Sequence, residues 1–434
     1  MKNIKRSFFT DGQFMWDHAN QLFPICRSIT GDGLRQTLGH LKKVIPKIEI
    51  KGIPSGQKIF DWTIPDEWNP KNAYMIGPDG EKIANFHENN LHLVSYSVPM
   101  HKRMSLSDLQ SHLHSIVEKP DLIPYRTSYY KRDWGFCLPH RTRQNLKDGI
   151  YEIYIDSEIK PGVLNYGELL IPGQTEKEIM FSTYPCHPSL ANDSLSGVVI
   201  ALALAKNLMN RNDLYHSFRF LWTPETIGSL AWLDSNIGRA KEVIQAGFVL
   251  TCLGDDGPLS YMPSRKGKTL ADRVITKMLY DNNLAFDSYS FNQRGSDERQ
   301  FCHPNVDLPF ASLMRSIYGE YEEYHTSGDD MGLLSPAALQ ESFNLYFRII
   351  EMLEKNRVYK PMTIGEPQLG KRNLYANLSD STLDEDEMVR FKILGYADGE
   401  LDLISLSEIV DEPFDVVSSQ VQILVDAQVL ELVK

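Results

Sequence analysis

The sequence predicts an α/β protein with a mostly parallel sheet flanked by helices, a β-rich inserted domain and a C-terminal winged helix. Three observations predict this. Apolar runs of strand length alternate with helical patterns from about residue 178 to 356, as in parallel sheets. Short aromatic runs separated by Pro and Gly turns fill about 47–175 and indicate strands. Three helical patterns and then one strand occupy the last 50 or so residues, the winged-helix order.

The alternating region gives the elements of the core. Strands are predicted at 178–183, 217–223, 246–252 and 309–314. Helices are predicted at 194–210, 228–237, 268–283 and 336–355. Residues 12–46 also show helical spacing and are expected to complete the core.

At 434 residues the chain exceeds what one hydrophobic core usually holds, so two or three domains are expected. The patterns divide the chain into five segments. These are N-terminal helices of the core (1–50), the β-rich inserted domain (51–175), the α/β core (176–360), a linker (361–383) and the winged helix (384–434). The linker is predicted because Pro and Gly recur there without apolar periodicity.

The composition excludes several classes of protein. A net charge of −12 argues against binding to nucleic acid or to anionic membranes. The five cysteines are widely spaced and form no CxxC pair, so neither a disulfide framework nor a Cys-rich zinc site is predicted. No window approaches the ~18 apolar residues of a membrane span, and no signal-peptide pattern occurs. We therefore expect a cytoplasmic protein.

The most informative segment is the loop from Tyr184 to Gly197, which follows the predicted strand 178–183. It places His187 and Asp193 six positions apart, directly before a predicted helix. A histidine and a carboxylate at such a junction are ligands for a divalent metal. Taken singly, each residue also fits an ordinary role, as a core histidine and as a helix N-cap.

The later strands also end in polar residues. In chain order these are Glu225, the pair Asp255 and Asp256, and His325. Open α/β sheets bind ligands at the carboxyl ends of their strands, so we expect these side chains to lie at one edge. Two histidines with carboxylates suit catalytic zinc, which takes three protein ligands and keeps an open position.

Four short motifs resemble those of zinc aminopeptidases of the leucyl-aminopeptidase and glutamate-carboxypeptidase kind. They are Asn192–Gly197 (ND-x-x-SG), Thr223–Gly228 (T-A-E-E-x-G), Gly295–Phe301 (GSDH-x-x-F) and Tyr324–Thr326 (Y-H-T). The whole chain more closely resembles an aminopeptidase-like family of bacterial polysaccharide-biosynthesis loci. In that family a zinc-peptidase-like core carries a β-rich insertion and a C-terminal winged helix. Arg27–Gly33 and Leu122–Tyr125 also resemble this family.

The resemblance implies roles for the candidate residues. His187, Asp193 and His325 would bind zinc, with Asp193 at the position that bridges two ions in active relatives. Glu225 would be the general base. The implied activity is that of an aminopeptidase or amidase, which hydrolyses an amide bond with a metal-activated water.

Several positions depart from the family pattern. Thr226 replaces the second glutamate of the EE pair, and the next expected aspartate falls on Thr251 or Cys252. Because fewer carboxylates are left to hold two dications, one zinc ion is expected rather than two. Glu225 is then a ligand, the base or both. Glu298 replaces the histidine of GSDH, either as an alternative base or in a surface salt bridge.

Substrate contacts are predicted from charge and aromatic content. An aminopeptidase needs carboxylates for the substrate ammonium, and the candidates are Asp255, Asp256 and Asp297. In the insertion, aromatic residues are interleaved with cations, namely Tyr125, Tyr129, Tyr130 and Trp134 with Arg126, Lys131 and Arg132. This aromatic cluster either lines a cleft for a peptide or amino-sugar amide substrate or packs a small β domain.

The winged helix raises the hypothesis of DNA binding, which its charge opposes. Residues 371–434 contain five Lys or Arg against fourteen Asp or Glu, a net charge of −9. The predicted recognition helix, Phe414–Ala427, has no cation to contact phosphate. We therefore expect no nucleic-acid partner, and contacts with a protein partner or a homo-oligomer instead.

Three functions stand as hypotheses, in decreasing order. The first is a zinc-dependent aminopeptidase or amidase. The second is a degenerate, non-catalytic peptidase-like protein that binds or scaffolds in polysaccharide biosynthesis, which the missing ligands favour. The third is a transcriptional regulator with a ligand-sensing core.

Overall fold

The computed structural model describes residues 10–374 and 385–433. The predicted segments therefore fall partly outside the described residues, at 1–9 of the N-terminal helices, 375–383 of the linker, and both 384 and 434 of the winged helix. The boundaries of the five predicted segments stay a prediction.

The helices are distributed along the whole chain. They are α1 (Gly12–Leu22), α2 (Asp32–Val44), α3 (Leu106–Leu109), α4 (His140–Gln144), α5 (Gly197–Leu208), α6 (Ile227–Val243), α7 (Leu270–Asp281), α8 (Glu298–Phe301), α9 (Pro336–Lys355), α10 (Glu385–Tyr396), α11 (Leu403–Ile409) and α12 (Phe414–Asp426). Short 3₁₀ turns lie at Asn90–His92, Gln110–His112, Phe291–Gln293 and Gly370–Arg372, and a π-helical turn at Ala191–Ser196.

The strands begin after the first two helices. They are β1 (Glu49–Pro54), β2 (Lys58–Ile59), β3 (Trp62–Thr63), β4 (Glu67–Ile76), β5 (Lys82–Asn85), β6 (Met100–Ser105), β7 (Leu113–His114), β8 (Phe136–Cys137), β9 (Ile150–Lys160), β10 (Val163–Ile171), β11 (Glu178–Thr183), β12 (Ser217–Trp222), β13 (Ile244–Val249), β14 (Leu259–Met262), β15 (Phe286–Ser288), β16 (Phe310–Met314), β17 (Tyr359–Pro361) and β18 (Leu430–Leu432).

A large sheet forms the core, with eight strands among the described residues in the order β1-β10-β12-β11-β13-β16-β14-β15. Its centre, β12-β11-β13-β16, is parallel, whereas β1, β10 and β14 pair antiparallel with their neighbours. Helix α5 packs on β11 and β12, and helices α2 and α6 pack on β10. The predicted α/β fold with a mostly parallel sheet flanked by helices is confirmed.

Three phenylalanines show why the central strands lie side by side. Phe181, Phe220 and Phe248 occupy facing positions of β11, β12 and β13. Their rings stack with centroids 5.2 Å and 5.4 Å apart, and all three are fully buried. Sliding a strand by one residue would turn its phenylalanine to the other face, so the apolar pattern fixes the register. The carboxyl ends of these strands therefore meet at one edge of the sheet.

The β-rich segment contributes to two sheets. A second sheet, of four strands among the described residues, has the order β5-β4-β9-β6. Strands β1 and β10, at either end of this region, belong to the large sheet instead. Strand β9 continues into β10 after a turn of two residues, so the insertion is joined directly to the core.

The chain divides into two compact units. The first runs to Ala271 and resumes at Phe286–Asn344, and it contains both sheets just described. The second contains Asp272–Ala285 and the chain from Leu345 onward. Within it α10, α11 and α12 pack together, and β18 pairs antiparallel with β17. The predicted winged-helix order of three helices and a strand is confirmed. None of the helices that the structure describes has the length and apolarity needed to cross a membrane.

A buried ion cluster joins three neighbouring strands of the large sheet. Arg219 on β12 makes a two-pronged contact with Glu178 on β11, at 2.6 Å and 2.8 Å, and also binds Glu168 on β10. The two carboxylate side chains are only 1% and 4% exposed. Trp232 donates to Glu168 at 2.9 Å from α6. Buried charges at this density are tolerated because each one has a partner.

Replacing Arg219 with Gln is expected to lower the free energy of unfolding by about 3 kcal/mol, because it removes the guanidinium that two buried carboxylates share. Glu168 would keep Lys51, at 2.5 Å, and Glu178 would keep the more distant Arg239. Urea unfolding of the full chain measures this. Arg239 is the matched control, since it lies 3.7 Å from the same Glu178 with 53% of its side chain exposed. Arg239→Gln should cost less than about 1 kcal/mol. Equal losses for the two variants would contradict the interpretation.

Candidate metal centre

The loop after β11 carries His187 and Asp193, which are 6% and 1% exposed. Asp193 is not a helix cap, because α5 begins only at Gly197 and its N-terminus has no side-chain cap. The helix starts close to the neighbouring strand end, where a Cβ on Gly197 would lie 2.0 Å from the Leu250 carbonyl oxygen. Glycine is therefore required at this position, and the loop is held tightly against β13.

The carboxylate of Asp193 has a different partner on each oxygen. Its Oδ1 accepts hydrogen bonds from the Tyr184 hydroxyl at 2.7 Å and the Thr251 hydroxyl at 3.3 Å. Its Oδ2 lies 3.0 Å from Nε2 of His325. The side chain therefore points into a polar cluster formed by three separate loops.

Asp329 fixes the backbone of this loop. Its Oδ1 accepts from the N–H groups of Ala191 and Asn192 at 3.1 Å and 2.6 Å. Its Oδ2 accepts from the N–H of Asp193 at 3.0 Å and from the Tyr321 hydroxyl at 2.9 Å. Because Asp329 is fully buried, water cannot take its place as the acceptor for these N–H and hydroxyl groups.

His325 is held by the inserted domain. The carbonyl of His325 accepts from the N–H of Tyr125 at 2.8 Å, and Pro124 pairs with Thr326 in an isolated bridge. The ring of Tyr125 lies 5.2 Å from the ring of His325 and 5.3 Å from that of His187, between centroids. The insertion thus forms one wall of the site.

The backbone around the cluster is strained. Ser189, Thr226, Cys252 and His325 all have φ between 48° and 64°, a region that non-glycine residues rarely adopt. Such strain costs free energy and persists where the surroundings over-determine it, which is common at functional sites.

Glu225 follows β12, and its side chain lies beside His187. Its N–H donates to the Cys186 sulfur at 3.3 Å, and its Oε2 lies 3.7 Å from Nε2 of His187. A cavity of about 390 Å³ opens here, lined by both of these residues and by His325. The Glu225 side chain is 21% exposed to it, so the carboxylate is accessible to a ligand.

The pKa values of His187, Asp193 and Glu225 are shifted in different directions by their surroundings. Burial lowers the pKa of His187 to about 4, so its ring is neutral at pH 7. Burial opposes ionisation of Asp193, but the charge of His187 and the hydrogen bond from His325 outweigh it and lower the pKa of Asp193 below its usual value. Burial, followed by the charges of Asp297 and Asp193, raises the pKa of Glu225 above its usual value.

The ligand atoms of His187, Asp193 and His325 all lie within 4.8 Å of one another. Two imidazole nitrogens and one carboxylate oxygen form the donor set of catalytic zinc sites with an open position. The residues present therefore fit a zinc ion. Glu225 is not part of this cluster, although it is near it.

The structure places the other predicted residues elsewhere. Asp255 is buried against the Ser316 hydroxyl, Asp256 is exposed, and Asp297 accepts from the N–H of Thr226 at 2.7 Å. Glu298 is fully buried, and its Oε1 accepts from the Tyr318 hydroxyl at 2.6 Å and from two backbone N–H groups. The predicted surface salt bridge of Glu298 is wrong, because the loop 295–298 folds its carboxylate inward.

Sequence reasoning missed Tyr184 and Asp329 as parts of the site. It named Tyr125 as a member of an aromatic cluster that either lines a cleft or packs a small β domain, and Tyr125 lines the cavity. Tyr184 had a usable signal, since it directly follows the strand that leads to His187. Asp329 lies four residues after His325, which is a weaker signal. Tyr125 had none beyond its place in an aromatic cluster, because its contact depends on how the insertion packs.

The fold, together with a histidine and carboxylate cluster at the carboxyl edge of its sheet, defines an aminopeptidase-like protein. Residues 16–356 match the family described as a domain of unknown function, DUF4910, and the chain belongs to this family. Residues 357–432 match a winged helix-turn-helix family.

Two comparisons extend over nearly the whole chain. A relative from Clostridium acetobutylicum, named for polysaccharide biosynthesis and an aminopeptidase-like domain, is 44% identical over 94% of this chain and 93% of its own. A crystal structure from the same organism, of a protein named as a peptidase, has a TM-score of 0.90 at 42% identity over 97% of this chain and 96% of that one.

More distant structures share the fold of the core. A zinc aminopeptidase from Bacillus subtilis has a TM-score of 0.58 at 13% identity, covering 80% of this chain and 96% of that chain. A peptidase M28 precursor from Shewanella amazonensis has a TM-score of 0.55 at 11% identity over 77% and 92% of the two chains. At such identities the likeness concerns the fold alone. The resemblance drawn from the sequence motifs is confirmed.

Replacing Asp329 with Asn should lower the free energy of unfolding by about 1–3 kcal/mol, because it exchanges one acceptor oxygen for an NH₂ group that faces buried N–H donors. Urea titration of the full chain measures the change. Asp330 is the matched neighbour, since it is exposed and accepts only from the N–H of Gly332, at 2.7 Å. Asp330→Asn should stay within about 0.5 kcal/mol of the parent. A similar loss in both variants would count against the role given to Asp329.

Proposed function

We propose that this chain is a zinc-dependent hydrolase that cleaves an amide bond, as an aminopeptidase or an amidase. The zinc ligands in this proposal are His187, Asp193 and His325, and the general base is Glu225. One observation carries the proposal, namely the convergence of three ligand atoms beside a cavity that the base also lines. Glu225 lies beside the cluster of three ligand atoms and is not one of its members, which supports a base next to the metal rather than a fourth ligand.

We propose one zinc ion rather than two. Oδ1 of Asp193, which would face a second ion in a bridging role, already accepts from Tyr184 and Thr251. Thr226 and Thr251 offer hydroxyls at positions where the aminopeptidase pattern has carboxylates. Without those negative charges a second dication would have little to offset its desolvation.

Zinc bound by such a donor set polarises the amide carbonyl and lowers the pKa of a water in its open position. Glu225 accepts a proton from the attacking water while the water oxygen bonds to the carbonyl carbon. The C–N bond then breaks, and Glu225 returns the proton to the leaving nitrogen. Amide and water become a carboxylic acid and an amine, and Glu225 ends as it began.

Asp193→Asn is expected to abolish zinc binding, because it removes the anionic ligand at the centre of the cluster. The purified parent should retain about one zinc per chain after dialysis, and the variant almost none. Elemental analysis of both proteins measures this. Asp256→Asn, an exposed carboxylate outside the cluster, should retain the zinc of the parent. Full zinc content in the Asp193 variant would refute the ligand set.

Glu225→Gln should keep the zinc and lose hydrolysis by roughly 10²–10⁴-fold, the usual contribution of a positioned base. Amine release from a panel of aminoacyl amides and N-acyl amino sugars measures turnover. Glu322→Gln, at an exposed position, is the control and should behave as the parent. Retained hydrolysis in the Glu225 variant would remove it from the mechanism.

A second candidate function is a non-catalytic, peptidase-like binding or scaffold protein of polysaccharide biosynthesis. The observation in its favour is that Thr226, and either Thr251 or Cys252, stand where the aminopeptidase pattern has carboxylates. The same assays separate the two candidates. A protein that holds zinc and shows no turnover on any amide, with the Glu225 variant indistinguishable from the parent, would favour the scaffold.

For the winged helix we propose contacts with a protein partner or a second copy of the chain, and no nucleic acid. The support is charge, since α12 carries no Lys or Arg and the segment from 371 onward is strongly acidic. We also propose a cytoplasmic location, which the five free cysteines support.

A further inference from the structure

We propose that the substrate is an N-acylated amino sugar that carries an anionic group, phosphate or carboxylate, and that Arg299 binds this group. This inference rests on the proposed function, in which the protein hydrolyses an amide bond. It adds the chemical class of the substrate that contains this amide. Four features of the cavity beside the metal centre support it.

The first feature is a cation that makes no direct ion pair among the described residues, although its charge acts on the nearby carboxylates of Glu225 and Asp297. Arg299 is exposed and lines the same cavity as Glu225. Its Nη2 donates to the Thr226 hydroxyl at 2.6 Å, and among the described residues its guanidinium makes no ion pair with a carboxylate. A guanidinium has five N–H donors in a planar fork that fits carboxylate and phosphate oxygens. Most of these donors are available to a ligand.

The position of this cation is informative. Thr226 stands where the aminopeptidase pattern has a second, metal-binding glutamate. A hydroxyl in place of that carboxylate puts one negative charge fewer beside Arg299 and provides a hydrogen-bond acceptor for it. The cation held beside the candidate metal centre suits an anion on the substrate.

The second feature is the lack of a place for a substrate ammonium. Asp255, Asp256 and Asp297 do not line the cavity, and the first and third are buried against Ser316 and the backbone. Among the described lining residues, Glu225 is the one carboxylate, and the proposed reaction uses it as the base. The ammonium group of a free peptide N-terminus would therefore be repelled by Arg299, and no further carboxylate of the cavity would neutralise it.

The third feature is an aromatic wall. Trp62 and Tyr130 line the cavity with 38% and 55% of their surfaces exposed, and their rings meet edge to face at 5.6 Å. Two further lining residues, Tyr125 and Tyr129, join their hydroxyls at 2.7 Å. Exposed apolar faces beside hydroxyl groups match a sugar ring, which has C–H faces and a polar rim.

The fourth feature is a neighbouring cavity of about 470 Å³, which shares Thr127, Tyr129 and Tyr130 with the first. It is lined by Arg126 and Lys131, of which Lys131 pairs with Asp133 at 2.8 Å. Arg126 is exposed and makes no ion pair among the described residues. In a chain of net charge −12, two free guanidinium groups on adjoining cavities are a marked departure from the average surface. Arg126 therefore provides a second position where an anionic group of the substrate could bind, next to the cavity proposed for the sugar.

The test measures binding without turnover, on the full chain with Glu225→Gln and loaded with zinc. The probes for calorimetry are N-acetylglucosamine 1-phosphate, N-acetylmuramic acid, neutral N-acetylglucosamine and leucinamide. At least one anionic probe should bind roughly ten- to a hundredfold more tightly than the neutral sugar, the effect of one charge-assisted contact. The first two probes distinguish phosphate from carboxylate. Adding Arg299→Gln should remove the preference, and Arg299→Lys should keep part of it.

The control is Arg294→Gln, on the loop that leads into α8, whose guanidinium lies over the Phe291 ring and outside the cavity. It should leave the preference unchanged. Tighter binding of leucinamide than of both anionic sugars overturns the inference, as does a preference that survives Arg299→Gln, or no binding of either anionic probe at millimolar concentration. Zinc content and hydrolysis by the parent are measured in parallel. A protein without zinc or turnover that still binds the anionic sugar through Arg299 would refute the proposed function alone.

Discussion

The carboxylate of Asp329 is the contact on which the candidate metal centre depends. It binds three successive backbone N–H groups at 191–193 from a position four residues beyond His325. One buried side chain therefore joins the loop that carries His187 and Asp193 to the loop that carries His325. These hydrogen bonds hold the candidate ligand atoms of the two loops near one another. The strained backbone of His325 and Ser189 shows that this arrangement is imposed on the loops.

The sheet supplies the other half of the arrangement. The buried register of β11, β12 and β13 places their carboxyl ends together, and each end contributes one group, Asp193, Glu225 or Thr251, to the site. The ion cluster around Arg219 lies on the same strands and ties β10 to β11 through β12. The same strands therefore contain the ion cluster that stabilises the sheet and lead into the loops that carry the candidate site residues. Rigid sheets commonly position functional loops in this way.

Much of this could be predicted from the sequence. The strands at 178–183 and 309–314 were predictable because apolar runs of that length have few alternatives. That His187, Asp193 and His325 lie close together was predictable from their positions after strand ends. Helix α6 runs on to Val243, beyond its predicted end at 237, because Gly238 is accommodated within the helix rather than ending it. The start of α5 at Gly197 was missed, since Asn192–Ser194 resembles an N-cap and only tertiary contacts recruit Asp193 elsewhere. The inward turn of Glu298 and the wall formed by Tyr125 depend on packing between distant segments, which local patterns do not encode.

The hydrogen bond from the N–H of Tyr125 to the carbonyl of His325 has a wider consequence. The segment that begins at Tyr125 and runs through Tyr129 and Tyr130 forms the walls of both cavities. A molecule that displaces this segment also displaces the peptide group of His325. The packing of the insertion therefore helps to set the backbone position of His325, a candidate metal ligand.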